Sequence, residues 1–144
     1  MKSRTIAVVV FYTDTNKILL QNRKSIMKWG EEWSFWGGGI DPGESKEDAA
    51  VREIKEELDY DVKDLKYLDS LTEILERYKD PSDKRKITYE IFVSKIKENP
   101  KLFKVKEGDG LAFFTFKETK ELAMVPKLDE KTLVMVEKFL SNQN

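Results

Sequence analysis

The order of apolar and polar residues predicts a chain that begins with two strands. Residues 5–12 form a continuous, mostly β-branched apolar run, which is typical of a strand buried on both faces. A turn at residues 14–16 separates this run from residues 17–22, which are predicted as the second strand. Residues 25–36 are predicted as a loop whose aromatic side chains stand just ahead of three consecutive glycines.

The second half of the chain predicts a hairpin, one further strand and two helices. Residues 65–76 and 87–96 carry the strand patterns, and residues 80–84 combine aspartate, proline and serine, which favours a turn between them. Residues 99–110 are predicted as a loop. The remaining predicted elements are a strand at residues 111–116, a short helix at residues 117–122 and an amphipathic helix at residues 128–140.

Between these halves the pattern changes to a helical period. Ser45 is a favourable N-cap, and Asp48 three residues later makes a short-armed version of the capping box. Asp59 tolerates the left-handed conformation that ends many helices, so we expect the helix to stop there. The predicted core-facing stripe consists of Ala49, Ala50, Val51, Ile54 and Leu58.

The opposite face of this helix carries the candidate chemistry. Glu53, Glu56 and Glu57 stand at i, i+3 and i+4, so their carboxylates project to one side within a single turn. Glu44 lies just ahead of the helix, after the glycines at residues 37–39. A glycine-rich segment that runs into several carboxylates suits a hard divalent cation that also holds phosphate oxygens.

A plainer interpretation of the same residues is a solvated acidic face. Three glutamates on one exposed turn repel each other by only roughly 0.2–0.5 kcal/mol per pair in water. Arg52 and Lys55 on the same helix can offset that repulsion as surface ion pairs.

Composition narrows the possibilities. The 144 residues carry a net charge of −1, with 37% charged and 40% hydrophobic residues, so residues 1–144 are expected to fold as one globular domain. This balance gives no reason to expect a nucleic-acid polymer or a membrane as partner, and a cytoplasmic monomer or homodimer is expected. The chain has no cysteine and no histidine. Any metal must therefore be held by oxygen ligands, and any general base must be a carboxylate or a perturbed lysine.

The spacing of the central residues resembles the Nudix box, the signature of the Nudix pyrophosphohydrolases. Trp36 and Asp59 stand where the family commonly has proline and glycine. The resemblance implies an α/β fold of the Nudix type, an α/β/α sandwich with a mixed central β-sheet between helices. The matching positions are Gly38-x5-Glu44-x7-Arg52-Glu53-Ile54-x-Glu56-Glu57.

The resemblance also implies an activity. Nudix enzymes use Mg²⁺, or Mn²⁺ in its place, to cleave a nucleoside diphosphate linked to another moiety. The chain is similar to MutT-type members, so the expected reaction converts a small-molecule nucleotide, a nucleoside triphosphate that includes oxidised forms, to a monophosphate and pyrophosphate. A dinucleoside-polyphosphate hydrolase, an ADP-ribose-type hydrolase and a non-catalytic nucleotide-binding module stay open as alternatives.

The same resemblance implies the metal ligands. Glu53 and Glu57 are expected to bind the metal, and Glu56 to bind it directly or through a water molecule. A main-chain carbonyl of Gly37 or Gly38 is expected to complete the ligand set.

Further roles follow from comparable positions in MutT-type enzymes. Arg52 is expected to orient the acidic cluster by ion pairing. Glu107, in the loop after the predicted hairpin, is expected to complete the metal site or to activate water, with Asp109 as the competing candidate and a charged turn as the plain alternative. The helix glutamates also stay open as the general base.

Four residues are predicted to contact the substrate: Arg23, Glu44, Trp29 and Asp129. Arg23 is expected to contact phosphates, although a solvated charge at the end of a strand explains it equally well. Trp29 offers a surface on which a purine stacks, or a core anchor. Asp129 is expected to hydrogen-bond the base, or else to act as an N-cap.

Overall fold

The computed structural model describes residues 1–143. The strands are β1 (Lys2–Tyr12), β2 (Lys17–Asn22), β3 (Trp33–Ser34), β4 (Trp36–Gly39), β5 (Lys66–Arg77), β6 (Asp80–Lys95) and β7 (Leu111–Thr115). The helices are α1 (Lys46–Leu58), α2 (Phe116–Thr119) and α3 (Leu128–Ser141), with a short 3-10 helix at Pro100–Leu102. Of the helices described, none combines the length and the apolar character that a membrane crossing requires.

The seven described strands form one mixed sheet with β1 at its centre. Parallel β6 runs along one side of β1, and antiparallel β4 and β2 share the other side. β5 extends the sheet beyond β6, and β3 and β7 both pair with β2. With helices packed on both faces, this arrangement confirms the predicted α/β/α sandwich.

The side chains of β1 alternate between two cores. Ala7, Val9 and Phe11 pack in the core that includes the apolar stripe of α1, whereas Val8 and Val10 pack in the core that includes α3. Because both faces of β1 are covered over residues 7–11, this part of the strand is continuously apolar instead of alternating. Full burial of each such valine or phenylalanine contributes roughly 1.5–3 kcal/mol.

Helix α1 begins and ends where the sequence predicts. The Ser45 hydroxyl accepts a hydrogen bond from the N–H of Asp48 (3.0 Å). Asp59 adopts the left-handed conformation (φ 49°, ψ 42°), and its N–H donates to the carbonyl of Lys55. These local contacts set the register of the helix and therefore decide which of its glutamates face the sheet.

The hairpin turn lies elsewhere than predicted. Residues 80–84 belong to β6, and the chain reverses at Tyr78 and Lys79. The strand register shifts near this turn, and β1 begins only opposite Arg85. Pro81 therefore stands at an irregular edge, where its missing N–H is tolerated within a strand.

Candidate active site

The end of the segment predicted as a loop is strand: Trp33–Ser34 form β3, and Trp36 begins β4, which contains the three consecutive glycines. Gly37 pairs with Val8 of β1, and Gly38 pairs with Ala7. Gly37 has a φ of +142°, and a Cβ at this position would overlap the carbonyl oxygen of Ala7. A Cβ on Gly38 would overlap the carboxylate of Glu53. The glycines therefore allow β1, β4 and the acids of α1 to approach one another closely.

Arg52 organises the acids beside this strand. Its Nε and Nη2 donate to the two carboxylate oxygens of Glu44 (2.8 and 2.9 Å), and its Nη1 donates to Glu53 (2.9 Å). Nη2 also donates to the carbonyl of Gly39 (3.0 Å), while Glu56 is more distant at 3.4 Å. The hydrogen bonds from Arg52 lower the pKa of Glu44 to about 2. Arg52 thus joins Glu44 to Glu53, and its orienting role in the site stays a prediction.

Glu57 is the most deeply placed acid of α1, with 3% of its surface exposed. Its Oε1 accepts a hydrogen bond from the N–H of Gly37 (2.9 Å). Burial raises the pKa of Glu57 to about 9, and the nearby carboxylates of Glu107 and Glu53 contribute to the rise. Burial likewise raises the pKa of Glu53.

Glu107 reaches these acids from a loop that is docked on the end of β2. Its carbonyl accepts a hydrogen bond from Gln21 Nε2 (2.9 Å), and the N–H of Asp109 donates to the carbonyl of Asn22 (2.9 Å). The side chain of Asp109 is engaged elsewhere, because its carboxylate accepts hydrogen bonds from the hydroxyl and the N–H of Ser25, which lower its pKa. The structure thus brings Glu107, and not Asp109, towards the acids of α1.

Together these acids provide a set of oxygen donors. In the part of the chain that the structure describes, no three acidic side chains already stand in the arrangement of a metal site. Arg52 holds Glu53, and the N–H of Gly37 holds Glu57. The donor set nevertheless fits a hard divalent ion, because such ions prefer carboxylate oxygens as ligands. Crowded carboxylates at a partly buried position also repel one another, and a bound cation offsets this repulsion.

Arg23 lines the same pocket as Glu107 and is held by a buried acid. Its Nε donates to Glu31 (3.1 Å), which is 2% exposed, and its Nη1 donates to Gln21 Oε1 (2.9 Å). The other carboxylate oxygen of Glu31 accepts hydrogen bonds from the N–H groups of Lys28 (2.9 Å) and Trp29 (2.8 Å). Glu31 therefore fixes the loop ahead of β3. Sequence reasoning missed it, because a glutamate in a polar loop gives no sign of burial.

Trp29 has one face covered by the β5–β6 hairpin. The guanidinium carbon of Arg77 lies 4.6 Å from the Trp29 ring centre. Beside it, the N–H of Tyr78 donates to the carbonyl of Lys28 (2.8 Å). The face of Trp29 towards Arg77 is thus unavailable to a base.

Asp129 is fully buried, and its carboxylate is fully engaged. It accepts hydrogen bonds from the Ser34 hydroxyl (2.8 Å), the Tyr89 hydroxyl (2.7 Å) and the N–H of Val125 (3.0 Å). Burial raises the pKa of Asp129 to about 7. The alternative of an N-cap is wrong, because α3 is capped by Lys127, two residues earlier.

One pocket joins these groups. Glycines 37 and 38 and the acids Glu53, Glu57 and Glu107 form what we call its acidic end. Trp29, Ser34 and Tyr89 also line the pocket, whereas Glu44, Arg52, Glu56 and Asp129 do not. The cationic residues that line it are Lys2, Arg4, Arg23, Lys28, Arg77 and Arg85.

Of these cations the sequence analysis identified only Arg23. The missed signal is the period of two along β1, where Lys2, Arg4, Ile6 and Val8 share the face that lines the pocket. The strand register adds Arg85, which pairs with Lys2 on the neighbouring strand.

Comparison with known proteins adds independent information. A family model described as "NUDIX domain" matches residues 1–135. A Bacillus subtilis (strain 168) protein named "Putative 8-oxo-dGTP diphosphatase" is 46% identical over 54 residues, which cover 38% of this chain and 34% of the relative. Nucleoside triphosphatase NudI of Escherichia fergusonii is 38% identical over 58 residues, which cover 40% and 41%. The alignments thus span less than half the length of these curated relatives.

A solved structure supports the fold over nearly the whole chain. The MutT NUDIX hydrolase from Burkholderia pseudomallei has a TM-score of 0.72 to this structure at 22% identity, covering 94% of this chain and 99% of that chain. The shared fold includes the mixed sheet between helices described above.

Proposed function

Because the chain belongs to the Nudix family, we propose that it is a divalent-metal-dependent hydrolase of phosphoanhydride bonds. Its proposed reaction converts a nucleoside triphosphate, oxidised forms included, to a monophosphate and pyrophosphate. The observation that carries this proposal is the pocket itself, in which the acids of α1 and of the loop before β7 meet cationic and aromatic side chains. The names of the Bacillus and Escherichia relatives favour a nucleoside triphosphate over the other nucleotide classes.

Glu53, Glu57 and Glu107 are the residues that would hold Mg²⁺ or Mn²⁺. A divalent ion supplies charge neutralisation for phosphate oxygens, which otherwise repel both the carboxylates and an attacking water. Arg52 keeps Glu53 against Gly38, and Glu44 and Glu56 act through Arg52 as positioning residues. The carbonyls of Gly37 and Gly38 remain proposed ligands.

We assign the general base to Glu107. A base must have an oxygen free to accept the proton of the attacking water. Glu53 already accepts a hydrogen bond from Arg52, and Glu57 accepts one from Gly37. Glu107 is anchored through its main-chain carbonyl, and among the described residues its carboxylate lies beside Glu57 and accepts no hydrogen bond from an N–H group that would compete with water.

The remaining lining residues are assigned to the nucleotide. Arg23, oriented by Glu31, contacts a phosphate, and the accessible part of Trp29 contacts the base. Ser34 and Tyr89 line the pocket, and Asp129, which does not line it, fixes the orientation of their hydroxyl groups by accepting a hydrogen bond from each.

The test is a hydrolysis assay with Mg²⁺ or Mn²⁺ on 8-oxo-dGTP, dGTP, a dinucleoside tetraphosphate and ADP-ribose, with identification of the products. We expect monophosphate and pyrophosphate from the triphosphates. Glu57→Gln should lower kcat by about 100-fold or more, since loss of even an outer partner of a metal site costs about 10–100-fold. Glu47→Gln, on an exposed turn of the same helix, is the matched control. Full activity in a stable Glu57→Gln protein would contradict the metal-ligand assignment.

A further inference from the structure

Three cations that line the pocket, Lys2, Arg4 and Lys28, form no ion pair among the described residues. Lys2 acts on the hairpin side of the pocket, where Arg85 and, to a smaller extent, Lys2 lower the pKa of Asp83. Within residues 1–143, Arg23, Arg77 and Arg85 each lie within 4.0 Å of a carboxylate oxygen. Arg4 and Lys28 line the same pocket, and no ion pair is formed by either side chain in that part of the chain. Their charges are therefore uncompensated by any direct contact.

These two residues come from different elements that meet at the pocket. Arg4 lies on β1 opposite Ile87, and its Nη2 lies 2.9 Å from the position that a Cβ on Gly39 would occupy. Lys28 belongs to the loop ahead of β3, which Glu31 and the hairpin hold in place through main-chain hydrogen bonds. The backbone at both positions is thus fixed, and both residues line the pocket.

The local electrostatics favour an anion between these groups. Partial burial and the positive charges of Arg4, Arg23 and Arg77 lower the pKa of Lys28, whereas Glu107 raises it. Part of the arginine charge is offset, because Arg23 pairs with Glu31. The repulsion that remains involves Arg4 and Lys28, and a bound anion relieves it.

We propose that Arg4 and Lys28 form a phosphate-binding pair that holds the part of the phosphate chain lying outside the acidic end of the pocket. This inference rests on the proposed function, which places one anhydride bond at the carboxylates. A nucleoside triphosphate reaches both sites, whereas a diphosphate has fewer charges to share between them. The pair therefore selects triphosphates over diphosphates.

The first test measures binding without metal and without turnover. Inorganic tripolyphosphate is titrated in EDTA into the wild type, Arg4→Gln, Lys28→Gln and the double variant, and affinity is measured by calorimetry. We expect each single variant to bind about two- to fivefold more weakly, the range of an exposed ion pair at low salt. High salt should reduce the difference. Lys101→Gln, an exposed lysine outside the pocket, is the control.

The second test measures the ratio of kcat/KM for a nucleoside triphosphate to that for its diphosphate. Arg4→Gln and Lys28→Gln should lower this ratio about two- to fivefold through KM. Lys28→Arg and Arg4→Lys, which keep the charge, should restore most of it. Unchanged tripolyphosphate affinity, or an unchanged ratio, would overturn the inference. If the wild type hydrolyses neither nucleotide, the proposed function fails. The tripolyphosphate titration then decides by itself whether Arg4 and Lys28 bind phosphate.

Discussion

The substitution Asp129→Asn tests the buried polar network behind the pocket. Oδ2 of Asp129 accepts hydrogen bonds from Ser34 and Val125, and Oδ1 accepts one from Tyr89. An amide oxygen at the Oδ2 position keeps the first two bonds. The amide NH₂ then faces the Tyr89 hydroxyl, which can turn and accept a hydrogen bond. The variant is therefore expected to fold with the network intact and without the titratable group.

The magnitude follows from the pKa of the buried carboxyl. A pKa of about 7, against 3.8 for a solvated aspartate, corresponds to about 4 kcal/mol. Between these two values the unfolded chain has released the proton that the folded chain still holds. Wild-type stability should therefore fall as pH rises through this window, by about 1.4 kcal/mol per pH unit, and become flat above pH 7. About 3 kcal/mol of this loss lies between pH 5 and pH 8.

Urea unfolding at pH 5, 6, 7 and 8, followed by tryptophan fluorescence, measures this difference. The free energy of unfolding of Asp129→Asn relative to the wild type should rise by about 3 kcal/mol from pH 5 to pH 8. Glu130→Gln, an exposed neighbour on α3, should show no such change. A difference between wild type and Asp129→Asn that is the same at every pH would refute the reasoning, because the carboxyl would then not titrate in this window.

Three further substitutions test other parts of the site. Gly38→Ala places a methyl group on the Glu53 carboxylate, so we expect at least about tenfold lower kcat. Gly43→Ala meets no atom within 4 Å but stands at a φ of +79°, so it should lose some stability and keep the kcat of the folded protein. Glu31→Gln should lower the free energy of unfolding by about 1–3 kcal/mol and raise KM, and a wild-type KM in this variant would contradict its role in fixing the pocket loop. Ser45→Ala removes the N-cap of α1 and should lower the free energy of unfolding, measured in urea, by about 1 kcal/mol. An unchanged free energy of unfolding would contradict a stabilising role of this cap.

The elements of this fold follow mainly from local sequence. Ser45 and Asp59 bound α1 through contacts within one turn, and the helical period alone places Glu53 and Glu57 together. The apolar run of β1 likewise identifies a strand covered on both faces. Such features depend on neighbours a few residues apart, so a single sequence determines them. The hairpin turn escaped prediction, because Pro81 is tolerated in β6 only where β1 has not yet begun.

Only the tertiary structure decided which charges share the pocket. Asp109 and Glu107 are equally acidic in the sequence, and the docking of their loop on β2 turns one towards Ser25 and the other towards α1. The burial of Asp129 and the exposure of Arg4 beside the glycine strand depend in the same way on how distant strands pair. Strand register and packing join residues that are far apart in the chain, and the energies of buried and paired charges depend on those neighbours.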